Sequence, residues 1–322
     1  MHRRRSSARR LVPLWMARRG RPDAARVDGM SRRPDPLPAR VAGRAFRARD
    51  VPEASPARLR ASDLWIPAQG IRLPVARRDV VSVCRAILLT LPSCAVFSHG
   101  TAAQLAPLPV PRRITAEDRV HVTTPVGVRA RRGRRIRGHE RALHPDEVVE
   151  RSGLPVTSPA RTFCDLAEDL TLAELVAVGD AAARIVGAEA IRRAVERVPA
   201  RRRSAVLRRA LELLDPASES PKESELRVLL ITSGFGPFRC NVEVRDGEGG
   251  FVARVDLAIV GLKIAIEYEG DHHRDKAQWR RDQARRRRLE ALGWIYIPVT
   301  QADLDDPRRL LNDLRVAVEL RS

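Results

Sequence analysis

The stretch from Phe251 to Thr300 constrains the chain most, because its charged residues recur on one face of two successive strand patterns. Val252–Ile259 alternates as a strand and carries Asp256. A turn at Gly261 leads into a second alternating run, Leu262–Glu269, which ends in Glu267-Tyr268-Glu269. Side chains on a strand point alternately to its two faces. Lys263, Ala265, Glu267 and Glu269 therefore share one face, and Leu262, Ile264, Ile266 and Tyr268 share the other, which is expected to meet a core. On the first strand Arg254, Asp256 and Ala258 share a face opposed to Val255, Leu257 and Ile259. The short Gly261 connection makes the two strands neighbours. Gly270 then breaks the pattern, His272 and His273 follow, a strongly basic helix runs to about Leu292, and Gly293 hands over to a third strand, Trp294–Val299.

Carboxylates brought together on paired strands repel unless a cation lies between them or one keeps its proton. Oxygen ligands favour a hard divalent ion, Mg2+ or Mn2+. Such an ion can activate a water and neutralise charge on a phosphoryl group. Asp256 and Glu267 are the carboxylates so placed. The arginines around them would attract a polyanion. A formal charge of +20 over 322 residues points the same way, to nucleic acid as partner. The excess is almost all arginine, since lysine occurs only at Lys222, Lys263 and Lys276; GC-rich coding produces the same bias. With 43% hydrophobic residues the chain can bury cores of more than one domain. Cys84, Cys94, Cys164 and Cys240 form no C-x-x-C pair, so neither a zinc ribbon nor a redox motif is indicated, and scattered thiols suit the cytoplasm. No apolar run approaches the roughly 18 residues of a membrane span.

The order along the chain suggests an α/β (α+β) protein in four parts. Residues 1–29 are Arg-, Gly- and Pro-rich without periodicity, and read as a disordered basic arm or as sequence upstream of a true start at Met30. Residues 30–76 show two short helical patterns and an extended Gly70–Leu73 segment, as in a winged helix-turn-helix or a short arginine-rich helical hairpin. Residues 77–215 form a mixed α/β middle region: an apolar helix over Asp79–Leu91, Ser98-His99-Gly100-Thr101 leading into a short helix, strands at Arg119–Thr124 and Glu147–Glu150, and helices from Ser158-Pro159 onward. Arg129–Arg137 reads as a basic hairpin or a solvated turn. Pro216–Pro221 is the strongest boundary signal. Residues 220–322 then run α-β-β-β-α-β-α, opening on Ser220-Pro221-Lys222-Glu223, a capping box with proline at its first helical position.

The C-terminal part resembles the endonuclease-like family known as domain of unknown function 559, related to the very-short-patch repair endonucleases of the P-D-(D/E)-x-K superfamily. The likeness rests on Glu223 in the first helix, Asp256 in the second core strand, then Glu267, Glu269, Gly270 and His273 in an E-x-D-G-x-x-H pattern, and Asp282, Arg285, Leu289 and Gly293 in the following helix. Two positions depart from it. Glu269 replaces the family's aspartate, with no lysine at the superfamily's place, and Pro298 stands where a basic residue is usual. Residues 37–185 resemble, more loosely, the abortive-infection antitoxin (AbiEi-like) proteins, through AGRAF, LWIPAQGIRLP, VFSHGTAA and GLPVTSPARTFCDLA.

The resemblance implies a restriction-endonuclease-like αβββαβ core acting on DNA with Mg2+ or Mn2+. Asp256 and Glu267 would hold the metal, Glu223 would assist, and Glu269 or His273 would move the protons. Arg254, Arg280, Arg285 and Arg286 are candidate nucleic-acid contacts. Plainer roles exist for each. Glu223 can be only the capping-box residue, Asp256 and Glu267 can pair with Arg254 and Lys263, His272 can cap the helix, Asp282 and Arg285 can form an i,i+3 pair, and Trp279 and Trp294 can be core. The rival function is an antitoxin-like DNA-binding regulator that keeps the nuclease fold without turnover. A homo-oligomer is compatible with either. Deleting residues 1–29 is expected to leave the unfolding midpoint unchanged, because that segment has no apolar face to bury; a clear drop would contradict this.

Overall fold

The computed structural model describes residues 34–117, 119–199, 205–270 and 276–322, with the side chains of 276–280 outside the description. The expected arm, 1–29, lies outside the described residues. The chain divides into two compact units, Met1–Ser158 and Pro159–Ser322. Both combine helices with mixed sheets, an α/β fold in the broad sense expected. No described helix is long and apolar enough to cross a membrane.

The first unit opens with three short strands, β1 (Phe46–Arg47), β2 (Leu64–Trp65) and β3 (Ile71–Pro74), paired antiparallel in the order β1-β3-β2. The two short helices expected here are single 3-10 turns, Ala48–Asp50 and Arg58–Arg60. The second turn is held through a side chain: buried Arg58 donates two bonds of 2.9 Å to the Asp63 carboxylate. Helix α1 (Val80–Leu88) is capped by Asp79, whose side chain accepts from the Ser82 N–H at 3.0 Å.

A five-stranded sheet follows, built from β4 (Val96–Phe97), β5 (Val120–Thr124), β6 (Ile136–Glu140), β7 (Val148–Arg151) and β8 (Leu154–Thr157) in the order β6-β5-β4-β8-β7. Helices α2 (His99–Leu105) and α3 (Arg112–Thr115) lie between β4 and β5 in sequence. Val83, Ile87, Phe97, Val122, Leu154 and Val156 form the core. Strand β6 emerges from the arginine run read as a hairpin or turn. Its Gly138 is required by close approach, since a Cβ there would stand 2.4 Å from the Arg131 carbonyl oxygen.

The second unit begins with α4 (Pro159–Leu166), α5 (Leu172–Val186), α6 (Ala188–Arg197) and α7 (Ala205–Glu212). Then come α8 (Pro221–Thr232), β9 (Arg239–Arg245), β10 (Phe251–Ile259), β11 (Ile264–Tyr268), α9 (Lys276–Ala291), β12 (Ile295–Val299), α10 (Gln301–Asp305) and α11 (Arg308–Glu319). The sheet order is β12-β11-β10-β9, antiparallel except for the parallel β11–β12 pair. The α-β-β-β-α-β-α order expected of residues 220–322 is present, with the one-turn α10 inserted.

The compact units divide at Ser158, whereas the sequence placed its boundary at Pro216–Pro221. The physical reason is a buried polar joint between α5 and α8. Asp180 accepts from Arg227 at 2.7 Å, from the Ser224 hydroxyl at 2.7 Å and from the Asp215 N–H at 2.7 Å. Arg227 also donates to the Leu213 carbonyl at 2.6 Å. Asp180 is 1% exposed and Arg227 is 3% exposed. Burial pushes the Asp180 carboxyl above its ordinary range, and Arg227 opposes that shift. Gly179 allows the close packing beside it, for a Cβ would meet Leu214 at 2.4 Å and Phe163 at 2.8 Å. Residues 159–215 therefore belong with the C-terminal sheet. Replacing Asp180 by alanine would strand a buried guanidinium and is expected to cost about 3–5 kcal/mol. Urea unfolding measures this, and a cost below about 1 kcal/mol would contradict it.

Candidate functional site

The antiparallel register of β10 and β11 builds the site. Leu257 faces Ile266, Ala258 faces Ala265 and Ile259 faces Ile264. Continued one residue past its last pair, the same register sets Asp256 opposite Glu267, and the two charges act on one another; directly opposed residues point to the same face. Leu257, Ile264 and Ile266 occupy the other face, buried with Leu226 and Leu230 of α8 and Leu310 and Leu314 of α11. On the carboxylate face Ala258 and Ala265 pack with Leu289 of α9. Alanine at both positions leaves room for that helix to lie close.

Each carboxylate has a defined partner. Asp256 accepts from the Tyr268 N–H at 2.8 Å. Glu267, 6% exposed, is held by both terminal nitrogens of Arg285 at 3.0 and 2.6 Å. The Tyr296 hydroxyl lies 3.1 Å from Glu267 and 3.3 Å from Glu269, joining the two acids. Glu223 accepts from the Glu219 N–H at 2.8 Å and from Asn241 at 2.7 Å. The Ser220 side chain does cap α8 through the Glu223 N–H at 3.1 Å, but the Glu223 carboxylate turns to Glu219 and Asn241 instead of closing a reciprocal box.

The charges are unevenly compensated. Burial pushes the Asp256 carboxyl up to about 6, opposed by the Tyr268 N–H and reinforced by the negative charges of Glu223 and Glu267. Burial also raises Glu267, while Arg285 pulls it back. The Tyr296 phenol is raised by burial and then by Glu267 and Glu269, so it stays a hydrogen-bond donor. Among the described residues no cation forms an ion pair with Asp256. Carboxylate oxygens facing one another suit a hard divalent cation, whereas the guanidinium on Glu267 already occupies one of the expected ligands.

The structure thus brings Asp256, Glu267, Glu223 and Glu269 into one neighbourhood. His272 and His273 lie outside the described residues. Of the arginines, Arg285 turns inward to Glu267. Arg254 pairs with Glu219 at the surface. Arg286 bonds Glu290 at 2.8 Å and lies 5.3 Å from the centre of the Tyr296 ring. Arg280 sits on α9 among the side chains not described. The alternative partners fall elsewhere: Lys263 caps the end of α9 through the Leu292 carbonyl at 3.1 Å, and Trp294 packs into the core beside Leu289. Pro298 is beside Glu267 in the β11–β12 register. Tyr296 and Asn241 were not anticipated. Tyr296 was legible as a strand residue, but only the parallel register carries it to Glu267.

A second group was not anticipated at all. His99, His121 and His139 offer ligand nitrogens within 4.8 Å of one another, so they could hold a metal ion; among the described residues theirs is the one such group of histidines, cysteines or acids. They sit at the start of α2, on β5 and on β6. The residues are far apart in sequence, so only the β5–β6 pairing reveals the cluster; the Ser98-His99-Gly100-Thr101 segment was the one local signal.

Fold and sites together define an α/β protein with an acidic cluster on one sheet and a histidine cluster on another. No family model matches the chain. Two curated relatives do, "Uncharacterized protein MT2308" of Mycobacterium tuberculosis (strain CDC 1551 / Oshkosh) and "Uncharacterized protein Rv2248" of Mycobacterium tuberculosis (strain ATCC 25618 / H37Rv). Each is 32% identical over 218 residues, covering 67% of this chain and 76% of the relative. The chain belongs to the family of these two proteins. The solved structure of the RV2827C protein from Mycobacterium tuberculosis is similar over 66% of this chain and 90% of that one, at 14% identity and a TM-score of 0.39.

The raised Asp256 carboxyl has a signed consequence. Its folded value, about 6, lies above the roughly 3.9 of an unfolded aspartate, so folding favours the protonated form. In chelator, stability is expected to fall as pH rises from about 4 through 6, and Asp256→Asn should flatten that fall. Urea midpoints across the range read it; equal slopes in both proteins would contradict the assignment.

Proposed function

We propose that this chain is a divalent-metal-dependent DNA endonuclease of the restriction-endonuclease-like type. One observation carries the reading: Asp256, with no cation paired to it among the described residues, stands opposite Glu267 and close enough to Glu223 for their charges to raise its carboxyl, within a helix–three-strand–helix–strand order. A carboxylate left without a cation beside two others is a place where a hard cation relieves repulsion. Asp256, Glu267 and the Tyr268 carbonyl are the proposed ligands of Mg2+ or Mn2+. Bound there, the ion would supply Lewis acidity for an attacking water and for a scissile phosphate. Glu269, oriented by Tyr296, is a proposed proton acceptor, and His273 is the alternative. Glu223 would assist from α8. The N-terminal unit would add DNA contacts of the winged-helix-like or AbiEi-like kind. Supporting that, a cleft of about 300 Å³ there is lined by Arg47, Arg49 and Arg131.

A second reading has its own observation. Arg285 grips Glu267 with two hydrogen bonds, standing where a metal would otherwise balance the charge. A non-catalytic, antitoxin-like DNA-binding regulator would keep such a bridge permanently. An enzyme must release it, so Glu267 would have to exchange a guanidinium for an ion.

Plasmid cleavage separates the two. Asp256→Ala and Glu267→Ala are expected to abolish Mg2+- or Mn2+-dependent nicking while DNA binding stays equal or tightens, because each carboxylate repels phosphate until a cation neutralises it. Binding should weaken steeply with salt, as counterion release requires. Wild-type protein that binds DNA yet never nicks it with either ion, and is unaffected by Glu267→Ala, would leave the regulator as the account.

A further inference from the structure

The histidine cluster belongs to the first unit and takes no part in the acidic site. Its geometry is more specific than three imidazoles meeting in a core. His121 Nδ1 and His139 Nε2 are 3.2 Å apart. Two nitrogens bound tetrahedrally to Zn2+ at about 2.0–2.1 Å lie roughly 3.3 Å apart, so this pair already has the spacing of two ligands of one ion. One proton is enough to bridge two neutral imidazoles at this distance, and an ion would replace it.

The outer contacts fix which nitrogens face inward. His121 Nε2 lies 2.8 Å from the Glu117 carboxylate, so it carries the proton and leaves Nδ1 free to ligate. A carboxylate behind a histidine is the arrangement that orients and strengthens a metal-binding imidazole. His99 Nδ1 lies 3.0 Å from the Ser98 hydroxyl, which accepts from Thr123 at 2.8 Å. In the tautomer that carries its proton on Nδ1, His99 offers Nε2 as the ligating atom.

Two further features fit a site that acquires its ion rather than an inert core. His99 has left-handed backbone, φ 50°, which residues other than glycine avoid and which concentrates at functional positions. Its ring stacks on that of His139 with centroids 3.7 Å apart and planes 14° apart. Two parallel rings cannot both aim in-plane lone pairs at one ion, so the His99 ring must turn out of the stack on loading. His121 and His139 need little movement.

We propose that His99, His121 and His139 form a binding site for one borderline divalent transition ion, Zn2+ foremost, with Glu117 as the carboxylate that orients His121. Imidazole ligands suit such ions and not Mg2+, so the site differs in metal class from the acidic cluster. The ion would tie the entry of α2 to the parallel β5–β6 pair.

Equilibrium dialysis of the full chain against micromolar Zn2+, followed by elemental analysis, tests this. One Zn2+ per chain is expected, with Co2+ giving a visible d–d spectrum of tetrahedral form. Histidine-to-alanine variants can fail to fold, so Glu117→Gln, which leaves all three ligands in place, is the second probe. It should weaken Zn2+ binding by about 10- to 100-fold. Asp256→Asn should leave the stoichiometry and the Co2+ spectrum unchanged. No Zn2+ bound by wild type, equal affinity in Glu117→Gln, or a Co2+ spectrum lost in Asp256→Asn would each overturn the proposal.

Discussion

The pairing of β10 with β11 is the constraint on which the C-terminal unit depends. Its register decides which residues meet, and a slip of one residue would send every side chain of a strand to the wrong face. Burial on both faces prevents that slip. Leu257, Ile264 and Ile266 are locked beneath α8 and α11, while Ala258 and Ala265 accept Leu289 of α9. Asp256 and Glu267 are therefore opposed because the apolar residues next to them cannot be anywhere else. The chemistry of the site is inherited from the packing of the sheet.

That opposition has an energetic cost, met differently at its two ends. Glu267 is the more enclosed and has a guanidinium and a phenol as partners. Asp256 has one backbone N–H and only the longer-range attraction of Arg285 against burial and the repulsion of Glu223 and Glu267, and its carboxyl is raised. Fully compensated carboxylates would describe a structural ion-pair network. Fully uncompensated ones would describe an open metal site. The arrangement lies between these, which is why the bidentate Arg285 bridge decides how the unit is read.

Much of the C-terminal unit was legible in the sequence because its signals are local. Strand alternation placed Asp256 and Glu267, the Gly261 turn made their strands neighbours, and Ser220-Pro221 marked the start of α8. What was not legible depends on long-range pairing. Tyr296 reaches Glu267 only through the parallel β11–β12 register. Arg285 looked like a helix-surface partner of Asp282, yet its side chain goes to the sheet. The domain boundary was misplaced because a Pro- and Ser-rich link looks the same whether or not a buried joint such as Asp180–Arg227 spans it. In the first unit, β4 is two residues long and β6 begins inside an arginine run, so neither alternates long enough to stand out. The histidine cluster was hidden for the same reason.

In the proposed function the opposed carboxylates collect a hard divalent cation. Titration of the full chain with Mn2+, followed by the electron paramagnetic resonance signal of the free ion, measures this directly. One bound Mn2+ per chain is expected, lost on Asp256→Asn and competed by Mg2+. Absence of bound Mn2+, or binding indifferent to Asp256→Asn, would contradict it.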